Sequence, residues 1–212
     1  MKRPRVLVAD DHQMLADALK GILEPRCEVV GIVNNGRALL HVAAKLQPDL
    51  ILIDIGMPEL NGLDAARQLR PALPGVKFIF MTMNEDPYLV GEAFRAGASA
   101  FLHKQGAALE LTVAVDQVLK GKSYVTPSAS EGLTKISLRE PSTRTHIPEP
   151  TIRQREVIQL LAEGNSMKEV AAALKITKRT VAAHKYAVME QLQLKTNAEL
   201  VQYAIRNHLI SI

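Results

Sequence analysis

Over about the first 120 residues, short and almost uninterrupted apolar runs alternate with stretches of helical period. Arg5-Val6-Leu7-Val8-Ala9, Val29-Val30-Gly31-Ile32-Val33, Leu50-Ile51-Leu52-Ile53, Val76-Lys77-Phe78-Ile79-Phe80 and Ala100-Phe101-Leu102 are strand-sized. Branched runs of this kind, without polar alternation, predict parallel strands buried on both faces. Between the first two runs, Leu15, Ala18, Leu19, Ile22 and Leu23 recur at helical spacing, and further helices are predicted over about 37–46, 62–70 (opened near Asn61-Gly62), 86–96 and 107–120. The repeated β-α order predicts an α/β domain with a five-stranded parallel sheet and helices on both faces.

After Tyr124 the pattern changes. Residues 126–149 carry Pro127, Pro141 and Pro148, scattered serines and threonines and no sustained period, which predicts a linker. From 150 the period is helical to the end: Val157, Leu160 and Leu161 in a first helix capped by Thr151 with Gln154; Met167 to Leu174 in a second; a turn at Ile176-Thr177; a third from Arg179 or Thr180 to Leu192; and a fourth from Asn197 to His208. Two short helices meeting at a tight turn, with flanking helices to bury their faces, predict an all-α helix-turn-helix domain. The expected division is therefore 1–125, 126–149 and 150–212.

Charge sharpens this division. Residues 1–124 hold as many acids as bases, the linker is neutral, and the formal excess of +4 falls on the helical region, with no acid between Glu169 and Glu190. Lys178, Arg179, His184 and Lys185 lie in that acid-free stretch, which suits a helix entering a DNA groove; by charge alone it also suits an ordinary solvated helix. The single Cys27 excludes an internal disulfide and reads as buried packing in a reducing compartment. No apolar run exceeds strand length, so no membrane partner is expected and the location implied is cytoplasmic. No dinucleotide-binding glycine pattern is present.

Candidate chemistry sits at the strand ends, where ligands collect in open α/β sheets. Asp10-Asp11 follow the first strand, Asp54 the third, Thr82 the fourth and Lys104 the fifth. Taken singly, an aspartate after a strand reads as a helix N-cap and an isolated lysine as solvated surface. Together they suit a carboxylate that is phosphorylated with the help of Mg2+: oxygen ligands for the ion, a nucleophilic oxygen on Asp54, Lys104 as counter-cation and the Thr82 hydroxyl as a donor to the new phosphate. Met57-Pro58 would stiffen the loop beside the acceptor, and His12 reads as loop-shaping.

Asp10-Asp11-His12, Asp54-Ile55-Gly56-Met57-Pro58 with Asn61-Gly62, Thr82, and Gly97 through Lys104 resemble the receiver domain of bacterial two-component response regulators, with its CheY-like fold, over about residues 4–124. The resemblance implies Asp54 as phospho-acceptor, Asp11 as the main metal-binding carboxylate with Asp10 beside it, Gly56 as a ligand through its carbonyl, and Phe101 as the aromatic whose rotation accompanies activation; by its place in a strand alone, Phe101 reads as core. Ala100 and His103 stand where glycine and an aliphatic residue are commoner in that family.

Arg153 to Val157, Leu160 to Gly164, Lys168 to Ala171 with Leu174, and Lys178 to Lys185 resemble the LuxR-type output domain of the NarL/FixJ group, over about residues 150–209. This implies a recognition helix over 179–192, with Lys178, Arg179, Thr180, Ala182, Ala183, His184, Lys185 and Tyr186 as DNA-facing candidates. Ala182 departs from a position that is commonly basic. The implied partners are double-stranded DNA at symmetric promoter sites, a sensor histidine kinase, a second copy of the chain on activation, and RNA polymerase. Slow self-dephosphorylation aside, no enzyme is expected. Two other classes compete: a phosphatase or phosphotransferase built on the same acids, and a receiver whose output domain binds DNA constitutively or acts through a protein partner.

Overall fold

The computed structural model describes residues 3–130 and 149–210, so most of the predicted linker lies outside the described residues. These fall into two compact units, one holding every strand and the other the last four helices.

The first unit runs β1 (Arg5–Ala9), α1 (Gln13–Leu23), β2 (Glu28–Val33), α2 (Gly36–Leu46), β3 (Leu50–Asp54), α3 (Gly62–Ala72), β4 (Lys77–Thr82), α4 (Pro87–Ala96), β5 (Ala98–His103), α5 (Ala107–Leu119) and β6 (Tyr124–Val125). The sheet is parallel throughout in the order β2-β1-β3-β4-β5-β6. Alternate residues of the strands serve opposite faces. Val6, Val8, Leu50, Leu52, Ile79, Met81, Ala100 and Leu102 pack against Ala16, Leu19 and Leu23 of α1 and Leu111, Val115 and Val118 of α5. The intervening Leu7, Ile51, Ile53, Phe78, Phe80 and Phe101 are equally buried on the face covered by α2, α3 and α4. Double coverage is why these strands read as solid apolar runs.

The sheet has six strands, not the expected five. β6 is only two residues long, too short to leave a periodic signature, yet it pairs Ala100 with Tyr124 and Phe101 with Val125. Thr126 N–H extends the ladder to the Phe101 carbonyl (3.0 Å), and the Tyr124 hydroxyl donates to Glu110 (2.9 Å). Ala129 is buried, so the chain keeps to this unit for several residues past 125. Helix α3 continues through Pro71 to Ala72, past its expected end at 70. Near a C-terminus proline removes one helical hydrogen bond, and the last turn closes through Leu73 N–H to the Leu69 carbonyl (2.8 Å).

The second unit is α6 (Ile152–Ala162), α7 (Met167–Leu174), α8 (Lys178–Gln191) and α9 (Asn197–Arg206). Each helix begins on a side-chain hydroxyl: Thr151, Ser166, Thr177 and Thr196 accept the N–H groups of Gln154, Glu169, Thr180 and Glu199. Thr151 with Gln154 and Ser166 with Glu169 are full capping boxes; the second is the familiar Ser-x-x-Glu signal. Gly164 (φ 93°) turns the chain after α6, and Lys175 adopts φ 53° to turn α7 into α8. Val157, Leu160, Val170, Leu174 and Val181 form one small core, and Ile158, Val188, Leu200, Ala204 and Leu209 a second, with Leu161 packed against both.

Candidate phosphorylation pocket and helix-turn-helix face

Each strand of a parallel sheet ends on the same edge, and the acids and the lysine meet there. Asp10 continues β1, its N–H bonded to the Val33 carbonyl of β2 (3.0 Å); Asp54 is the last residue of β3; Thr82 ends β4; and Lys104 follows β5, its N–H bonded to the Thr82 carbonyl (2.9 Å). The Lys104 ammonium lies 2.9 Å from Asp10 Oδ2 and 2.8 Å from Asp54 Oδ2, with its side chain 3% exposed. Asp54 Oδ1 accepts the Gly56 N–H (3.2 Å). Asp10 Oδ1 accepts the His12 N–H (2.9 Å).

Two buried carboxylates against one ammonium leave a net negative pocket. Burial, with the neighbouring Asp10 charge, outweighs the pull of Lys104 and the Gly56 N–H, so that Asp54 is raised from 3.8 to about 6. Burial by itself would lower Lys104, but its contacts with Asp54 and Asp10 prevail and raise it. A lone lysine cannot balance this site, and a divalent cation would. The residues present fit one: Asp10, Asp11, His12 and Asp54 each offer a ligand atom, all within 4.8 Å of one another. Hard carboxylate oxygens suit Mg2+.

Thr82 is buried, and its Oγ1 accepts the Asn84 N–H (3.0 Å). Phe101 is fully buried, with the His103 ring set edge-on to it at 5.6 Å. Thr126 Oγ1 stands 3.5 Å from the Phe101 carbonyl, close to the register of β6.

The motif reading includes Asn61-Gly62 but assigns no role to two supports of this pocket. Gly62 packs directly on β3: a Cβ there would lie 2.1 Å from the Asp54 carbonyl oxygen. Nothing in a bare Asn-Gly dipeptide distinguishes this close approach from an ordinary helix start. From Asn61, which caps α3 and binds buried Asp64, Arg67 carries an ion-pair network to Glu92 on α4, and Glu92 also pairs with Arg95. The link between Arg67 and Glu92, which joins α3 to α4, spans too much sequence to be matched by spacing.

In the second unit, Thr180 at the start of α8, and Ala182 and His184 farther along it, are half-exposed, while Lys178, Arg179, Ala183 and Tyr186 are exposed. Lys185 differs from the expected DNA-facing set: it is 6% exposed, on the inward stripe with Val181 and Val188. Its stem packs inward and its ammonium lies 5.2 Å from the ring centroid of Tyr186, which is how a long amphipathic side chain sits at the margin of a core. Of the expected set, Lys178, Arg179 and Ala183 are thus exposed together with Tyr186, Thr180, Ala182 and His184 are partly so, and Lys185 is buried.

Residues 6–116 match the family described as response regulator receiver domain, and residues 151–204 match the bacterial regulatory proteins of the luxR family. The chain is 33% identical to the transcriptional regulatory protein LiaR of Bacillus subtilis, covering 98% of this chain and 99% of that protein. It is 30% identical to the transcriptional regulatory protein DegU of Brevibacillus brevis, over 98% of this chain and 95% of that one. Among solved structures it is similar to the RcsB response regulator of Salmonella typhimurium, with TM-score 0.65 and 26% identity over 96% of this chain and 97% of that one. A further RcsB structure, bound to a promoter in the presence of phosphomimetic BeF3−, matches with TM-score 0.61 and 26% identity over 95% of this chain and 98% of that one.

Proposed function

This chain belongs to the response regulators that join a receiver domain to a LuxR-type DNA-binding domain, and on that premise we propose that Asp54 is the phospho-acceptor through which a sensor histidine kinase controls sequence-specific DNA binding. The family is one of transcriptional regulators, not of typical enzymes. The observation that carries the reading is the Asp10–Lys104–Asp54 cluster: a buried nucleophile, with a cation already in place for the charge that phosphorylation adds.

In the reaction, an oxygen of Asp54 attacks phosphorus, the bond from phosphorus to the donor's imidazole nitrogen breaks, and the leaving imidazole takes up a proton. Lys104 neutralises the product, and its two carboxylate contacts hold it at that spot beforehand. Asp10, Asp11, Asp54 and the Gly56 carbonyl would hold Mg2+, which supplies charge neutralisation and donor orientation. Thr82 donates its hydroxyl proton to a phosphate oxygen, and Phe101, behind Thr82 on the neighbouring strand, repacks as Thr82 moves. The modified receiver then favours pairing of two chains, which places two output domains on symmetric half-sites. There Lys178, Arg179, Thr180 and His184 hold the DNA backbone while Ala182, Ala183 and Tyr186 meet base edges; Lys185 supports Tyr186 from behind. We read residues 1–125 as the receiver, 126–149 as linker and 150–212 as the output domain, acting in the cytoplasm with RNA polymerase as a downstream partner.

The test is retention of sheared genomic DNA by the full-length protein, with and without Mg2+ and beryllofluoride. Enrichment of symmetric sites only with the mimic, lost in Asp54→Ala, is expected. Equal enrichment in both conditions would leave a constitutive binder, and none in either would point to a protein partner.

Only the carboxylate form of Asp54 is a nucleophile, and its pKa is raised to about 6. The initial rate of phosphorylation by phosphoramidate, extrapolated to low Mg2+, is therefore expected to fall about tenfold per pH unit below that value. Raising Mg2+ should move the midpoint to lower pH, because a cation favours the ionised carboxylate. A flat profile between pH 5 and 7 would contradict the assignment.

A further inference from the structure

Helix α1 starts without a side-chain cap. His12 holds its N-cap position (φ −90°, ψ 93°) and makes no capping hydrogen bond from its ring, where serine, threonine, aspartate or asparagine would ordinarily serve the free N–H groups. The imidazole turns instead to the acids: Nδ1 is 3.0 Å from Asp11 Oδ1 and 3.5 Å from Asp10 Oδ1. The backbone holds it there, since the His12 N–H is bonded to Asp10 Oδ1 (2.9 Å) and its carbonyl accepts the Ala16 N–H (3.0 Å).

That spacing is the spacing of neighbouring ligands on one ion. Metal–ligand bonds of about 2.1 Å at right angles put adjacent donor atoms roughly 3 Å apart. The pocket is also divided in the required sense. Lys104 occupies Oδ2 of both Asp10 and Asp54, and Asp10 Oδ1 is the oxygen on the His12 side, 3.5 Å from Nδ1. His12 is 69% exposed and stands at the mouth, where an oxygen-only site would carry water.

We infer that His12 is a further protein ligand of the acidic pocket, and that through it the pocket takes a divalent transition ion such as Mn2+, Co2+ or Zn2+ in addition to Mg2+. The inference rests on the reading of Asp10, Asp11 and Asp54 as metal-holding residues. Imidazole is a good ligand for the later first-row ions and a poor one for Mg2+, which keeps oxygen ligands and water. His12 therefore matters to one class of ion and is nearly silent to the other.

The test is titration of the full-length protein, and of His12→Ala, His12→Gln and Asp11→Asn, with Co2+ and with Mg2+ by calorimetry at pH 8, together with the visible spectrum of the bound cobalt. In both His12 variants Co2+ is expected to bind at least tenfold more weakly, with a shifted visible band, while Mg2+ changes less than about twofold. His12→Gln keeps a side chain able to hydrogen-bond Asp11, so it separates loss of a ligand from loss of loop shape. Unchanged Co2+ binding in both variants, or equal weakening of Co2+ and Mg2+ in His12→Gln, would overturn the inference and leave the acidic site standing, provided Asp11→Asn weakens Mg2+. Mg2+ binding indifferent to Asp11→Asn would overturn the inference together with the reading it rests on.

Discussion

Gly62→Ala is expected to lower stability by about 3 kcal/mol or more and the Tm of the first unit by roughly 10 °C. The added methyl would lie 2.1 Å from the Asp54 carbonyl oxygen and 2.7 Å from the Ile53 Cγ2. The first of these neighbours is backbone, in a strand paired on both sides by β1 and β4, so it cannot step aside. Relief has to come from α3, at the expense of the Gly62 N–H bond to the Ile55 carbonyl (2.9 Å) and of the Asn61 cap on Asp64. Ordinary overpacking costs 1–3 kcal/mol when side chains can rearrange. Here they cannot, which places this substitution at or above the upper end. Because the loop that moves also carries Gly56, phosphorylation by a small-molecule donor should slow along with the loss of stability. Urea melts decide the matter: a variant within 0.5 kcal/mol of the parent would mean that the close approach is relieved at little cost.

Lys104→Met should be the more damaging change for function. It leaves Asp10 and Asp54 facing one another in a buried site without their cation. Removing one partner of a buried ion pair typically costs 3–5 kcal/mol, although carboxylates can escape part of this by binding protons. In the parent, Asp54 is raised from 3.8 to about 6, so the protonated form favours the folded state; that contribution is present below about pH 4 and is lost as the pH rises through 6. Lys104, raised above its usual 10.5, contributes fully below that value and loses its contribution above its folded pKa. Between about pH 7 and 10 the parent is therefore flat with respect to these groups. Without the lysine, Asp54 moves higher still, and the loss of stability relative to the parent should grow from pH 5 to pH 8. Phosphorylation should fall by two orders of magnitude or more, because the nucleophile is protonated and the product has no counter-cation. A stability deficit equal at both pH values would show that the three groups are not coupled.

The meeting of the acids and the lysine was legible because a strand's C-terminal residue inherits its position from the run before it. Once Leu50 to Ile53 is a buried strand, Asp54 must stand at the sheet edge, and Asp10 and Lys104 follow likewise. What escaped depended on neighbours remote in the chain. β6 is too short for a period and exists through its partner, β5. The reach of Arg67 to Glu92 joins two helices whose relative placement no local pattern encodes. Lys185 misled for a different reason: residue type says charged surface, whereas its place on the stripe of Val181 and Val188 says interior, and the methylene stem satisfies the stripe. His12 shapes its loop as expected, its N–H bonded to Asp10 Oδ1, and its ring faces the acids and leaves α1 without a side-chain cap.

The hydroxyl at the head of every helix in the second unit has a consequence for how the chain is made. With Thr151, Ser166, Thr177 and Thr196 each fixing a start within three residues of itself, the boundaries of α6, α7, α8 and α9 are written locally. Contacts near in sequence give low contact order and fast folding, whereas the parallel sheet must join strands separated by whole helices before it gains anything. The helical unit, which follows the sheet in the chain, is thus expected to need less time to fold than the sheet.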